Sequence, residues 1–166
     1  MSRIICNSGP IIALGILARL DLLRSLFHEV LVPEAVKHEN EQGGVKLSGL
    51  ADFRRADWLR IVPLQHQRDA LLESLLDLGE ASVISLALAQ KASLVLIDER
   101  KTRKVARDIY GLQVIGTARL LVEARRKNLL PEIAPQFQKL RDEGYWIHDS
   151  IVKVALQEAG ELGIPK

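Results

Sequence analysis

Cysteine occurs once in the 166 residues, at position 6. A single thiol excludes an intrachain disulfide and a cysteine cage for zinc, fits a reducing compartment, and reads most simply as a small core residue. Aromatic residues are only 4% of the chain, which leaves little for base stacking. Trp58 and Trp146 fall in apolar strand patterns, where a core or partner-contact role outranks stacking. Charge of one sign is missing too: the net charge is +2, which by itself does not mark a nucleic-acid binder. No apolar run reaches the roughly 18 to 20 residues that span a bilayer. The opening segment is broken at Asn7-Ser8-Gly9-Pro10 before it forms a secretory leader, so the expectation is a cytoplasmic chain with no membrane contact. His28, His38, His66 and His148 lack metal-ligand spacing, and "SGP" and "DLGEAS" lack the glycine pattern and lysine of a P-loop.

The chain does contain short β-branched runs alternating with helical patterns. "RIIC" (3–6), "EVLVP" (29–33), "WLRIVP" (58–63), "LVLID" (94–98) and "QVIG" (113–116) read as strands. Between them lie a helical pattern over 11–27 bent near Arg19, a helix "PEAVKHEN" with Pro33 at its first position, and a mobile loop "EQGGVKLSG". A short helix over 50–56 follows, then two helices over 69–90 separated at Gly79, and helices "ERKTRKVARDIY" and "TARLLVEARRKN". The tail predicts a helix over 131–143, a short "YWI" strand, and a last helix capped at Asp149 or Ser150. Nearly all-apolar strands alternating with helices indicate an α/β fold whose parallel sheet is covered on both faces. The length suits a single domain over 1–166, with a helical extension over about 131–166.

Ligands of such sheets sit beyond the carboxyl ends of the strands. The first strand ends at Asn7, the fourth at Asp98 and the fifth at Gly116-Thr117, so polar groups meet one rim; the plain alternative is that Asn7 and Asp98 cap the helices that follow. Glu39 and Glu80 add carboxylates, although each taken singly also suits a helix surface or first turn. Converging acids repel unless a cation neutralises them, and Mg2+ or Mn2+ is the natural guest for such hard oxygen ligands. Such a metal activates water for attack on phosphorus.

The pieces "LDLGEASVISLA", "LVLIDERKTRKVA" and "VIGTARLLVEA", following "IICNSGPIIAL" and "EVLVPEAVKHE" in this order, resemble PIN-domain proteins. The resemblance is to the prokaryotic subgroup described as predicted nucleic-acid-binding proteins and similar to VapC-type toxins. It implies a PIN-like fold with a central parallel sheet between helices, an acidic cluster binding Mg2+ or Mn2+, and metal-dependent phosphodiester hydrolysis, usually of RNA. It also implies a small antitoxin partner and a homodimer. Carried over by position, the metal set is Asn7, Glu39, Glu80 and Asp98; the catalytic set is Glu39, Glu80, Asp98 and Thr117. Ser8 or Gly9 stands where a small residue follows the first acid, and Glu99 is either a further acid or a helix cap. The departure is Asn7: an amide offers a metal a neutral oxygen but removes one charge and accepts no proton. That opens the alternative of a catalytically weak or inactive PIN-like binding module.

Basic residues follow Asp98. Arg100, Lys101 and Arg103, with Ser8, are the expected nucleic-acid contacts, since lysine and arginine neutralise phosphates without reading sequence. Lys104, Arg107 and Arg125 to Lys127 read as solvated helix charges. A phosphoacceptor receiver-like domain is disfavoured because the first strand lacks paired acids. The apolar face of the 11–27 helices serves either a dimer or the core.

Overall fold

The computed structural model describes residues 3–44, 47–63, 69–92 and 94–162. Five strands, β1 (Arg3–Cys6), β2 (Glu29–Pro33), β3 (Leu59–Val62), β4 (Leu94–Leu96) and β5 (Gln113–Ile115), form one sheet in the order β3-β2-β1-β4-β5. Every pairing is parallel. In the central strand Ile4, Ile5 and Cys6 are all fully buried, as a parallel sheet covered on both faces requires. The α/β expectation therefore holds.

The helices are α1 (Ser8–Ile16), α2 (Asp21–Leu26), α3 (Glu34–Glu39), α4 (Leu47–Arg55), α5 (Ala70–Leu75), α6 (Leu78–Ala89), α7 (Arg100–Lys104), α8 (Thr117–Arg126), α9 (Ala134–Asp142) and α10 (Asp149–Glu158). A wider helical turn continues α7 over Val105–Ile109, whereas the turn that follows α3 over Asn40–Gly44 is kinked at Gly43, with a φ of 127°. The bend expected near Arg19 is a break between α1 and α2, where Ala18 takes a left-handed φ of 54°. The apolar faces of these two helices go into the core: Leu14, Leu22 and Leu23 are fully buried. Truncating such a side chain to alanine typically costs about 2–5 kcal/mol.

Several boundaries differ from the sequence expectation. Pro33 closes β2 and stands at the N-cap of α3 rather than inside the helix. In the expected loop "EQGGVKLSG" the helical path ends at Gly43, whose φ of 127° is non-helical, as the glycine pair predicts, while α4 already begins at Leu47; residues 45 and 46, like His66, lie outside the described residues. The break between α5 and α6 falls at Leu76-Asp77, and Gly79 lies inside α6. "YWI" is not a strand; it is extended chain linking α9 to α10. The last helix is capped by His148, whose Nδ1 accepts from the Ser150 backbone N–H at 3.1 Å.

The strand order fixes where function sits. The chain runs outward from β1 to β2 and β3, then crosses back to place β4 on the other side of β1. The carboxyl ends of β1 and β4 therefore flank the topological switch point, where adjacent loops diverge and leave a crevice. Asn7 directly follows β1, and Asp98 comes two residues after β4.

Candidate functional site

A cavity of about 330 Å3 opens at that switch point. Asn7, Glu39, Glu80 and Asp98, the four residues expected to hold a metal, all line it, together with Ser8. Asp77, Glu99, Tyr145 and Trp146 complete much of the wall.

Asn7 occupies the N-cap of α1 but makes no capping hydrogen bond. Its backbone N–H continues the ladder to the Leu96 carbonyl at 3.0 Å, and its side chain is buried with Oδ1 lacking any partner. A buried carbonyl oxygen without a donor is costly unless something else satisfies it.

Asp98 is the opposite case. Its Oδ1 accepts from the Thr117 backbone N–H at 2.7 Å, and its Oδ2 from the Thr117 hydroxyl at 2.6 Å and from the Tyr145 hydroxyl. Extending the Leu96↔Ile115 register by two residues sets Asp98 beside Thr117. Thr117 is fully buried and gives both its backbone N–H and its hydroxyl to Asp98. Gly116 permits this packing, because a Cβ there would lie 2.9 Å from Asp98 Oδ1 and 2.6 Å from an Arg103 nitrogen. Arg103 donates to the Ile97 carbonyl at 3.0 Å; burial lowers its pKa and the charge of Asp98 works the other way. Burial, then the Asp98 charge and hydrogen bond, push the Tyr145 hydroxyl far above its ordinary value, so it stays a donor.

Glu39, the last residue of α3, reaches the first turn of α6. Its carboxylate packs against Gly79, where the Gly79 backbone N–H and the Ser8 hydroxyl favour its charged form. Gly79 has to be glycine for this seat, because a Cβ would stand 2.1 Å from Glu39 Oε1. Glu80 forms a capping box with Asp77: the Glu80 N–H reaches Asp77 Oδ1 at 2.9 Å, and the Asp77 N–H reaches Glu80 Oε2 at 3.3 Å. Desolvation, and then the neighbouring charge of Asp77, hold both Glu39 and Glu80 above the usual carboxylate range. Burial works the same way on Glu99, but hydrogen bonds from Thr102 and the Lys101 N–H outweigh it and leave Glu99 below that range. Of its two open roles Glu99 takes the cap of α7, accepting from the Lys101 and Thr102 N–H groups at 3.1 and 2.8 Å.

A family model described as PIN domain matches residues 3–161. The chain belongs to the PIN-domain family. Comparison with curated proteins returned no match. PIN domains are in general divalent-metal-dependent nucleases, so this PIN domain is assigned nucleic acid as its general substrate class. The five-stranded parallel sheet flanked by helices is the fold expected of one.

The donor chemistry here fits a hard divalent cation. The lining offers carboxylates and Asn7, whose buried Oδ1 has no partner, and two of the carboxylates have pKa values raised by desolvation and then by the charge of Asp77. Yet among the described residues no three His, Cys, Asp or Glu side chains are grouped closely enough to enclose an ion. Asp98, Glu39 and Glu80 are each held by protein donors instead.

Sequence reading missed Asp77, Gly79 and Tyr145. Asp77 and Gly79 flank Leu78 just before Glu80, so "DLGE" carried both, and the glycine was taken for a helix breaker. Tyr145 gave no local signal, because it meets Asp98 only across 47 residues of chain. Arg100, Lys101 and Arg103 lie on α7; none of them lines the acidic cavity, and Arg100 and Arg103 line a neighbouring one that shares Asp98 with it.

Proposed function

We propose that this PIN domain is a metal-dependent endoribonuclease using Mg2+ or Mn2+. The observation that carries the reading is that Asn7, whose buried Oδ1 has no partner, lines the same cavity as Glu39, Glu80 and Asp98 at the switch point. Asn7, Glu39, Glu80 and Asp98 would hold the cation. When bound, it would supply charge against the scissile phosphate and a more acidic water. Thr117 and Tyr145 orient Asp98, Gly79 and Ser8 orient Glu39, and Asp77 presents Glu80. Ser8, Arg100, Lys101 and Arg103 meet the backbone of the bound strand. The resemblance to VapC-type proteins supports a toxin role, neutralised by a small antitoxin, in a cytoplasmic homodimer. Among the described residues no helix is long and apolar enough to cross a membrane. Ile151 and Val154, 48% and 52% exposed on α10, are available to a protein partner.

A second reading is favoured by the amide at position 7 together with the full set of donors on Asp98: a PIN domain that binds nucleic acid or protein with little turnover. Manganese- and magnesium-dependent cleavage of a structured RNA pool by wild type, Asp98→Asn and Asn7→Asp, with a chelator control, separates the two. The first reading expects metal-dependent cleavage that vanishes in Asp98→Asn and rises in Asn7→Asp. A silent wild type with an active Asn7→Asp supports the second, and silence from all three removes the nuclease reading.

A further inference from the structure

A larger cavity, of about 660 Å3, adjoins the acidic one and shares Asp98 and Trp146 with it. Its volume lies in the roughly 300–1,000 Å3 range of ligand sites. Its wall includes Arg100, Arg103, Arg119 and the segment from Trp146 to His148. Trp146 is 67% exposed, although burying so large an apolar ring would be favourable. The Arg141 guanidinium stands 5.8 Å from its ring centroid and is itself fixed by a 2.6 Å ion pair to Asp149. The ring is thus propped at the junction of the two cavities rather than loose.

The charges around it differ in what they leave free. Arg119 is neutralised by Glu158 at 2.7 Å and Glu123 at 3.1 Å, and Arg103 is anchored on the Ile97 carbonyl. Arg100 is exposed, and its side chain has no ion-pair partner among the described residues. An exposed indole beside a free guanidinium, one cavity wall away from an acid cluster, matches an unpaired nucleotide. Aromatic faces stack any base, and arginine meets phosphate without reading sequence.

We propose that this second cavity is a subsite for one unpaired nucleotide of a single strand, its base stacked on Trp146 and a flanking phosphate on Arg100. The proposal rests on the nuclease reading, in which the neighbouring phosphate lies at Asp98. A base held in a duplex cannot be stacked this way, so the subsite selects single strands and loops and tolerates any base at that position.

The chain has two tryptophans, so Trp58→Phe leaves Trp146 as the only indole fluorophore. Titration of that variant with a short unstructured oligoribonucleotide is expected to quench its emission saturably, while duplex RNA leaves it unchanged. In parallel, the anisotropy of a labelled oligonucleotide gives affinity. Trp146→Ala is expected to weaken binding by about 5- to 150-fold, and Trp146→Phe by much less. An oligonucleotide with an abasic position at the subsite should lose the same factor against wild type and nothing further against Trp146→Ala; this arm needs no altered protein. Equal affinity of Trp146→Ala and wild type with unmoved emission overturns the subsite even if cleavage is robust. So does a Trp146→Ala variant that changes only oligomeric mass, which makes the face a protein interface, and so does no binding of the oligonucleotide at all. Tryptophan-dependent binding without metal-dependent cleavage supports the subsite and removes the nuclease reading instead.

Discussion

At the scale of single residues, two positions shape the site for opposite reasons. Asn7 takes away charge, whereas Gly79 takes away bulk so that Glu39 can reach a helix N-terminus. Gly79→Ala is expected to fold, because alanine gains about 1 kcal/mol of helix propensity and the group in its way is the end of a flexible side chain. Glu39 should swing out, and Mn2+ affinity measured by titration calorimetry should fall to the level of Glu39→Ala, with urea stability within about 1 kcal/mol of wild type. Glu80→Gln tests the strained charge. An acid whose pKa is raised on folding binds its proton more tightly when folded, so its stabilising contribution is present at low pH and is lost as pH rises through the raised value. Glutamine keeps the capping box and has no charge to strain. The variant should exceed wild type at about pH 8 by a few tenths of a kcal/mol after solvent screening, show no gain at about pH 4, and lose cleavage; thermal unfolding at both pH values checks it.

At the scale of elements, helix termini carry the construction. Asp77 and Glu80 close the start of α6, and Glu99 the start of α7. The start of α9 is closed from far away: Glu161 accepts from the Ile133 and Ala134 N–H groups at 2.6 and 2.8 Å. This contact and the Arg119–Glu158 pair clasp the end of the chain onto α8 and α9, and the same tail delivers Tyr145 and Trp146 to the site. Glu161→Ala is expected to cost about 1–3 kcal/mol, since it strands two N–H donors at a helix start, and to loosen the Tyr145 contact with Asp98. Denaturant unfolding together with hydrogen exchange at Ile133 and Ala134 measures both effects. Local signals placed the strands and most helices well, because burial on both faces leaves an apolar run of strand length. They failed at Gly79 and at "YWI": the same residue types that punctuate structure also permit close packing, and a run of three apolar residues is too short to fix strand pairing by itself.

At the scale of the whole molecule, the net charge of +2 hides a separation of sign. Acids gather inside the switch-point cavity, and basic side chains occupy the start of α7 at its edge. Substrate affinity should therefore fall with salt, with a slope of about 0.7 per phosphate neutralised on a single strand. Arg100→Ala should reduce that slope by about 0.7 and weaken all sequences alike. A filter-binding series over ionic strength reads the difference.

The sequence by itself determined the α/β class, the strands, and the residues that terminate them at one rim, because apolar periodicity and strand-end polarity are local properties of the chain. It also carried the pattern of the PIN-domain family. Only the tertiary structure decided what those residues do to one another. Asp98 is held by Thr117 and by Tyr145, Glu39 is seated against Gly79, and Trp146 stands out in the open. Each of these depends on distances between segments that are remote in the chain, and such distances are set by how sheet, helices and tail pack together.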